Sequence, residues 1–172
     1  MDDVARWGAA ERAELFRETA GRRGLAALLI EKDFWVCWTL KRIFSLTDRA
    51  ILFKGGTSLS KAFGVIRRFS EDIDLSFDRR EFGYQAERDP ATPGLSGKTK
   101  KKLLKEMMDA CSDYVRGAYL EALRANLASR GAESTWRLLP DDTDPDRATL
   151  TTPSSWPAFF KTPCVRKRRG TR

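Results

Sequence analysis

Two short stretches of sequence decide the fold: Lys54-Gly55-Gly56-Thr57-Ser58-Leu59 and, one helix length later, Arg68-Phe69-Ser70-Glu71-Asp72-Ile73-Asp74-Leu75. The first follows the apolar run Ala50 to Phe53, and such a run ending at two glycines is typical of a strand that enters a tight turn. The pattern from Thr57 to about Ile66 indicates a helix. Asp72 to Phe77 alternates polar and apolar residues, as a half-buried strand does. The central unit is therefore predicted to be strand, glycine turn, helix, strand.

The glycine turn is a candidate phosphate site. Gly55 and Gly56 have no Cβ, so their backbone N–H groups can approach a phosphate closely. The helix beyond them presents further free N–H groups and the positive end of its dipole to the same anion. Ser58 can add a hydroxyl donor. Lys54 precedes the glycines, so the turn does not follow the Walker pattern, and the predicted nucleotide-binding residues of the turn are Gly55, Gly56, Thr57 and Ser58.

Asp72 and Asp74 form the candidate metal site. Residues two apart in a strand point to the same face, so the two carboxylates are expected to lie together while Ile73 and Leu75 face the core. Two neighbouring carboxylates repel unless a cation lies between them, and Mg²⁺ prefers one or two carboxylates together with phosphate oxygens. Arg68 and Ser70 just before them either hold the turn or contact phosphate, and the sequence leaves both roles open.

The remaining pattern predicts an α+β fold, with a small mixed sheet flanked by helices. Trp35 and Trp38 are expected to be core aromatic residues, and Gly117 could weaken or divide the longest helix. Residues 79–97 are rich in Pro and Gly and indicate a loop. Helices are predicted over residues 2–22, 25–46 and 98–129, and a further strand over residues 136–139.

Composition narrows the chemistry. Hydrophobic residues make up 41% and charged residues 33% of the 172 residues, which is typical of a globular domain. The acidic N-terminus and the short apolar runs predict a cytoplasmic protein without a membrane span. The chain has no histidine, which excludes Ser/His/Asp nucleophiles and imidazole-rich metal sites. Catalysis would have to depend on carboxylates, lysines, hydroxyl groups and hard metal ions.

The net charge of +8 favours a polyanionic partner such as a nucleotide or nucleic acid. Six basic residues lie in residues 161–172, without which the net charge would be +2. We expect a folded core over residues 1–160 and a disordered basic tail over residues 161–172.

The two stretches together resemble the signature of polymerase-β-like nucleotidyltransferases, specifically the AbiEii/AbiGii toxins of abortive-infection and type IV toxin-antitoxin systems. Glu31-Lys32-Asp33-Phe34-Trp35 is similar to the N-terminal element of that family. The resemblance runs from Glu31 to Phe77, and more weakly to Pro153. It implies transfer of a nucleoside monophosphate from a nucleoside triphosphate to an RNA acceptor such as tRNA, with Mg²⁺ at Asp72 and Asp74 and a cognate antitoxin as functional partner.

The chain also departs from the family, whose members continue further and supply another carboxylate and a lysine from their downstream half. From the sequence we expect that the end of the chain results from a truncation or frameshift. The nearest candidates for the further carboxylate, Asp144 and Asp146, lie in a predicted loop. The alternative is therefore a non-catalytic remnant that keeps the fold and binds nucleotide or nucleic acid. On this reasoning the chain is expected to bind magnesium nucleotide but to transfer it slowly or not at all.

Overall fold

The computed structural model describes residues 1–46, 49–66, 69–70, 72–130, 137–140, 147–151 and 157–161. The fold is α+β, as predicted. Its helices are α1 (Asp2–Arg6), α2 (Ala9–Arg23), α3 (Ala27–Ile43), α4 (Gly55–Lys61), α5 (Gly97–Tyr114) and α6 (Leu120–Ala128). Its strands are β1 (Ile51–Lys54), β2 (Ile73–Phe77), β3 (Arg137–Pro140), β4 (Arg147–Thr151) and β5 (Pro157–Lys161).

The strands form one mixed sheet in the order β1-β2-β5-β4-β3. β1 and β2 are antiparallel, with Phe53 opposite Leu75 and Lys54 opposite Asp74. β2 and β5 are parallel, and the other neighbouring strands are antiparallel. The predicted unit of strand, glycine turn, helix and strand is present as β1, α4 and β2, and it occupies one edge of the sheet.

The N-terminal helix predicted over residues 2–22 is divided in two. Trp7 (ψ 158°) and Gly8 (ψ 154°) adopt extended backbone angles between α1 and α2. The side chain of Asp2 is used in the tertiary structure, because it accepts a hydrogen bond of 3.0 Å from Trp38 Nε1 and pairs with Arg42 at 3.2 Å. These contacts attach α1 to α3, so long-range contacts have replaced the continuous helix that the local pattern favours.

The helix α4 ends earlier than the predicted Ile66. Gly64 has a left-handed φ of 62°, and the Val65 N–H donates to the Leu59 carbonyl over 2.9 Å. A glycine in this conformation closes a helix by satisfying its last carbonyl groups. The long helix is divided at Gly117, whose φ of −95° and ψ of −106° are non-helical, within a π-helical turn at Val115–Tyr119. The predicted effect of Gly117 is confirmed.

The core lies between one face of the sheet and the helices α3, α5 and α6. Trp35 and Trp38 are buried in it, as predicted, with ring centroids 5.6 Å apart. Ile73, Leu75 and Phe77 of β2 are buried against the same cluster. In the part of the chain that the structure describes, no helix is long and apolar enough to cross a bilayer. Because Ile73, Leu75 and Phe77 face the core, the opposite face of β1 and β2 is available for a site.

Candidate functional site

The glycine turn and the Asp-x-Asp segment meet directly. Gly55 has a left-handed φ of 78°, and a Cβ built on it would lie 2.8 Å from Asp74 Cγ, well inside van der Waals contact. The antiparallel pairing of Lys54 with Asp74 produces this approach, because it puts the strand end before Gly55 beside Asp74. The structure therefore brings the predicted phosphate-binding turn and one of the predicted metal ligands into direct contact.

The two aspartates differ in position. The sequence predicted Asp72 to lie inside the strand, but β2 begins at Ile73, so Asp72 lies just before it. Asp72 is exposed. Asp74 is half-buried on the face opposite the core. Ile73 and Leu75 are 0% and 1% exposed, which confirms that the intervening residues face inward. The alternation of β2 separates a core face from a face that carries Asp74 and Ser76.

Thr57 connects the turn to the residues before β2. Its side chain is fully buried, and its hydroxyl donates to the Asp72 carbonyl oxygen. The same hydroxyl hydrogen-bonds the Ser70 hydroxyl at an Oγ1–Oγ distance of 2.8 Å. Ser70 thus contacts the turn, which is one of the two roles that the sequence left open for it. These bonds fix the backbone that carries Asp72 relative to the first turn of α4.

Ser58 lies one residue further along α4 and is 4% exposed. Its hydroxyl donates to the Gly55 carbonyl oxygen over 3.0 Å. The contact ties the helix to its own first residue, which is the residue that packs on Asp74. The sequence alone predicted a hydroxyl donor in the turn but not that the donor would be buried.

The remaining predicted residues are placed as follows. Gly56 is in the first turn of α4 and half-buried, and the capping residue Lys54 makes no side-chain capping hydrogen bond to this helix. Arg68 lies outside the described residues, as do Asp144 and Asp146. Within the described ranges, no group of three or more acidic or cysteine side chains is arranged to hold a metal ion. The described candidate ligands are therefore Asp72 and Asp74.

The segment Glu31–Trp35 of α3 contacts both motif regions. Lys61 of α4 forms an ion pair with Asp33. Lys32 Nζ lies 6.0 Å from the centroid of the Phe69 ring, which is within reach of a cation–π interaction. Burial, and secondarily the positive charge of Arg23, lowers the pKa of Lys61. This part of α3 supports the site from outside instead of contributing an obvious ligand.

Sequence reasoning missed one residue beside the site. Lys161 pairs with Asp74 in the parallel register of β5 with β2. It is the last residue of β5, although the sequence assigned it to the basic tail, and residues 162–172 of that tail lie outside the described part of the chain. The apolar Ala158-Phe159-Phe160 run was the available signal for a strand. The pairing brings the backbone of a lysine position next to Asp74.

Comparison with known proteins found a matching family. A family model described as the nucleotidyl transferase AbiEii toxin of the type IV toxin-antitoxin system matches residues 38–149. The match spans more than half of the chain and contains the glycine turn, Asp72 and Asp74. No curated protein and no solved structure matches the chain.

Proposed function

Since the chain belongs to the nucleotidyl transferase AbiEii toxin family of type IV toxin-antitoxin systems, we propose that it transfers a nucleoside monophosphate from a nucleoside triphosphate to an RNA acceptor such as tRNA. The observation that carries the proposal is the packing of Gly55 against Asp74. Phosphate binding by the turn and metal binding by the carboxylates would then take place within one small site. In the reaction, the oxygen of the acceptor hydroxyl bonds to the α-phosphorus, the bond from that phosphorus to the departing pyrophosphate breaks, and the hydroxyl proton passes to solvent.

The donor set fits Mg²⁺. Asp72 and Asp74 supply hard carboxylate oxygens, and the chain has no histidine whose imidazole would favour a softer metal. We assign both aspartates as the catalytic carboxylates and metal ligands. Bound there, Mg²⁺ would supply a Lewis acid that neutralises phosphate charge. Two protein carboxylates leave coordination positions for phosphate oxygens and water.

The turn would hold the phosphates through its backbone. Gly55 and Gly56 lie in the first turn of α4, where N–H groups have no partner inside the helix. Thr57 and Ser58 are buried and bonded to the Asp72 and Gly55 carbonyl oxygens, so we assign them to positioning the turn and not to direct phosphate contact. Ser70 supports the same arrangement through Thr57. For Arg68 the phosphate-contacting role remains our proposal.

Two lysine positions surround Asp74 in the sheet: Lys54 across β1 and Lys161 across β5. Lysines near a triphosphate favour its binding because they offset its negative charge. We propose that Lys161 supplies the later basic residue that the resemblance leads one to expect. Residues 1–161 would on this view form the nucleotidyltransferase core, one residue longer than the sequence suggested, with a basic tail after it.

The functional partner implied by the family is a cognate antitoxin. A type IV system pairs the toxin with an antitoxin that opposes its effect, and we propose that the antitoxin acts through regulation without requiring contact with this chain. Nucleoside triphosphates and tRNA are cytoplasmic, so we place the activity in the cytoplasm. A role in abortive phage infection is part of the same proposal.

Transfer of label from an α-³²P nucleoside triphosphate to total bacterial tRNA tests the function. The sequence alone predicts slow labelling or none. Because Lys161 pairs with Asp74 in the sheet, we instead expect the full chain to label tRNA in the presence of Mg²⁺, and Asp74→Asn not to. Asp3→Asn is a matched control, because Asp3 is an exposed aspartate on α1 outside the site. Each of the four triphosphates should be assayed separately.

The same assay decides the alternative of a non-catalytic nucleotide-binding remnant. Magnesium-dependent nucleotide binding without any labelling, under all four triphosphates, would favour the remnant. Labelling that persists in the Asp74→Asn variant would exclude the proposed site.

A further inference from the structure

A cavity of about 1010 Å³ opens beside the candidate site. Its walls come from β1, β2, the segment after β2 and the first half of α5, and they include Leu52, Ser76, Leu104 and Met107. Ser76 follows Asp74 by two residues on the same face of β2, so the two positions are about 7 Å apart. The cavity therefore begins within one nucleotide's reach of Asp74.

The charges around the cavity are largely matched. Arg79 pairs with Asp89 at 2.7 Å, and Arg80 Nε donates to Asp78 Oδ2 over 2.9 Å. Hydrogen bonds from the Arg80 side chain and backbone lower the pKa of Asp78 to about 2, so the pairing favours the ionised carboxylate. A cavity with paired charges and an apolar wall suits a nucleoside better than a phosphate.

Outside the cavity, the helix α5 carries a strong positive charge. Lys98, Lys101 and Lys105 are exposed and share one face at spacings of three and four residues, and we call them the lysine ridge. Lys100 of the same helix lies at the cavity wall. Among the described contacts, none of the three ridge lysines forms an ion pair, whereas the nearby Lys102 lies 3.8 Å from Glu106.

The position of these lysines is unfavourable for the helix itself. They begin at the N-terminal end of α5, which has no acidic residue in its first turn. The helix dipole is positive at this end, so Lys98 in the first turn opposes the dipole instead of stabilising the helix. Repulsion between Lys101 and Lys105, four residues apart, adds to this. A polyanion bound along the ridge would remove both penalties.

We propose that the acceptor RNA binds with its phosphates along the lysine ridge and its 3′-terminal nucleoside in the cavity. This proposal rests on the proposed nucleotidyl transfer and describes how the acceptor RNA of that reaction is bound. Single-stranded RNA is commonly bound by cations along its backbone and by apolar or aromatic contacts to unstacked bases. The terminal hydroxyl group would then lie toward Asp74, where the donor nucleotide is held.

The first experiment measures binding of a 5′-fluorescein single-stranded RNA 12-mer to the full chain by anisotropy at several salt concentrations. The variant Lys98→Gln/Lys101→Gln/Lys105→Gln should bind about tenfold or more weakly at low salt. Its slope of log affinity against log salt should fall by about 2, because three phosphate contacts are lost. The control Arg17→Gln/Arg22→Gln/Arg23→Gln removes three exposed charges from α2 and should leave the slope nearly unchanged.

The second experiment places 2-aminopurine at the 3′ end of the RNA, where insertion into the cavity should change its fluorescence. Ala91→Trp, which fills the cavity from an exposed wall position, should abolish the change, whereas Ala10→Trp on α2 should not. A 5′-terminal 2-aminopurine should report no insertion in either case. These readouts need no catalysis, so they remain informative if labelling of tRNA fails.

Three outcomes would overturn the proposal. The first is absence of RNA binding by the wild-type chain. The second is equal salt slopes in the ridge variant and the wild type. The third is displacement of the 3′-terminal fluorophore by magnesium nucleoside triphosphate alone, because the cavity would then hold the base of the donor nucleotide.

Discussion

Asp74 fills the space into which a side chain on Gly55 would project. A Cβ on Gly55 would lie 2.8 Å from Asp74 Cγ and 3.0 Å from Asp74 Cβ. A glycine at this position therefore satisfies two requirements at once, a left-handed φ of 78° and room for a carboxylate. The contact joins the phosphate-binding turn to the candidate metal ligand, and its removal should affect both.

Gly55→Ala tests this relationship against Gly94→Ala. Gly94 has a similar φ of 84°, but no atom of the described residues lies within 4 Å of a Cβ added to it, so it isolates the backbone cost. The left-handed conformation costs alanine about 1 kcal/mol, which lowers Tm by about 2–4 °C in a domain of this size. Gly55→Ala should lower Tm further and also weaken magnesium-dependent nucleotide binding, as measured by differential scanning calorimetry and isothermal titration. Equal effects of the two variants on both quantities would contradict the role assigned to the contact.

Thr57→Val tests the link between the turn and Asp72. Valine keeps the shape of threonine but removes the hydroxyl that bonds the Asp72 carbonyl oxygen and Ser70. A buried acceptor left without its donor costs about 1–3 kcal/mol of unfolding free energy. Urea unfolding should show this loss, and calorimetry should show weaker magnesium nucleotide binding. Thr57→Ser retains the hydroxyl and should restore nucleotide affinity, and a failure to do so would argue against positioning through this bond.

The ion pair of Asp78 and Arg80 predicts a specific pH response. The pKa of Asp78 is lowered to about 2, from an ordinary value of 3.8, chiefly by the side-chain hydrogen bond from Arg80. Because the folded-state pKa is the lower one, the stabilisation is fully present above about pH 4 and is lost as pH falls toward 2. Carboxyl NMR titration should give this low pKa, and Arg80→Gln should raise it. An Asp78 pKa near 3.8 in the wild type would show that the pair does not form in solution.

Sequence patterns correctly predicted those elements whose formation depends on neighbouring residues in the chain. The glycines before α4, the alternation in β2 and the interruption at Gly117 are each encoded within a few residues. The division of α1 from α2 was missed because Asp2 bonds Trp38 and Arg42, which are 36 and 40 residues away in sequence. No local pattern reports such contacts.

For the candidate site, the sequence predicted the residues but not the contacts between them. The motif spacing indicated which residues belong together, but the closeness of Gly55 to Asp74 depends on the register of β1 with β2. The place of Lys161 beside Asp74 depends on a parallel pairing between strands more than 80 residues apart, which sequence periodicity does not specify. The burial of Thr57 and Ser58 likewise appears only once α4 is packed on β2.

The most direct test of the central claim is isothermal titration of a nucleoside triphosphate with and without Mg²⁺. Wild-type chain and the Asp3→Asn control should bind more tightly with Mg²⁺. In Asp72→Asn/Asp74→Asn, each lost charged interaction is worth about 1.5–3 kcal/mol, so the magnesium-dependent gain should fall by more than about tenfold. Circular dichroism should first show that the double variant is folded. A folded double variant that keeps the full magnesium-dependent gain would contradict the assignment of Asp72 and Asp74 as the metal site.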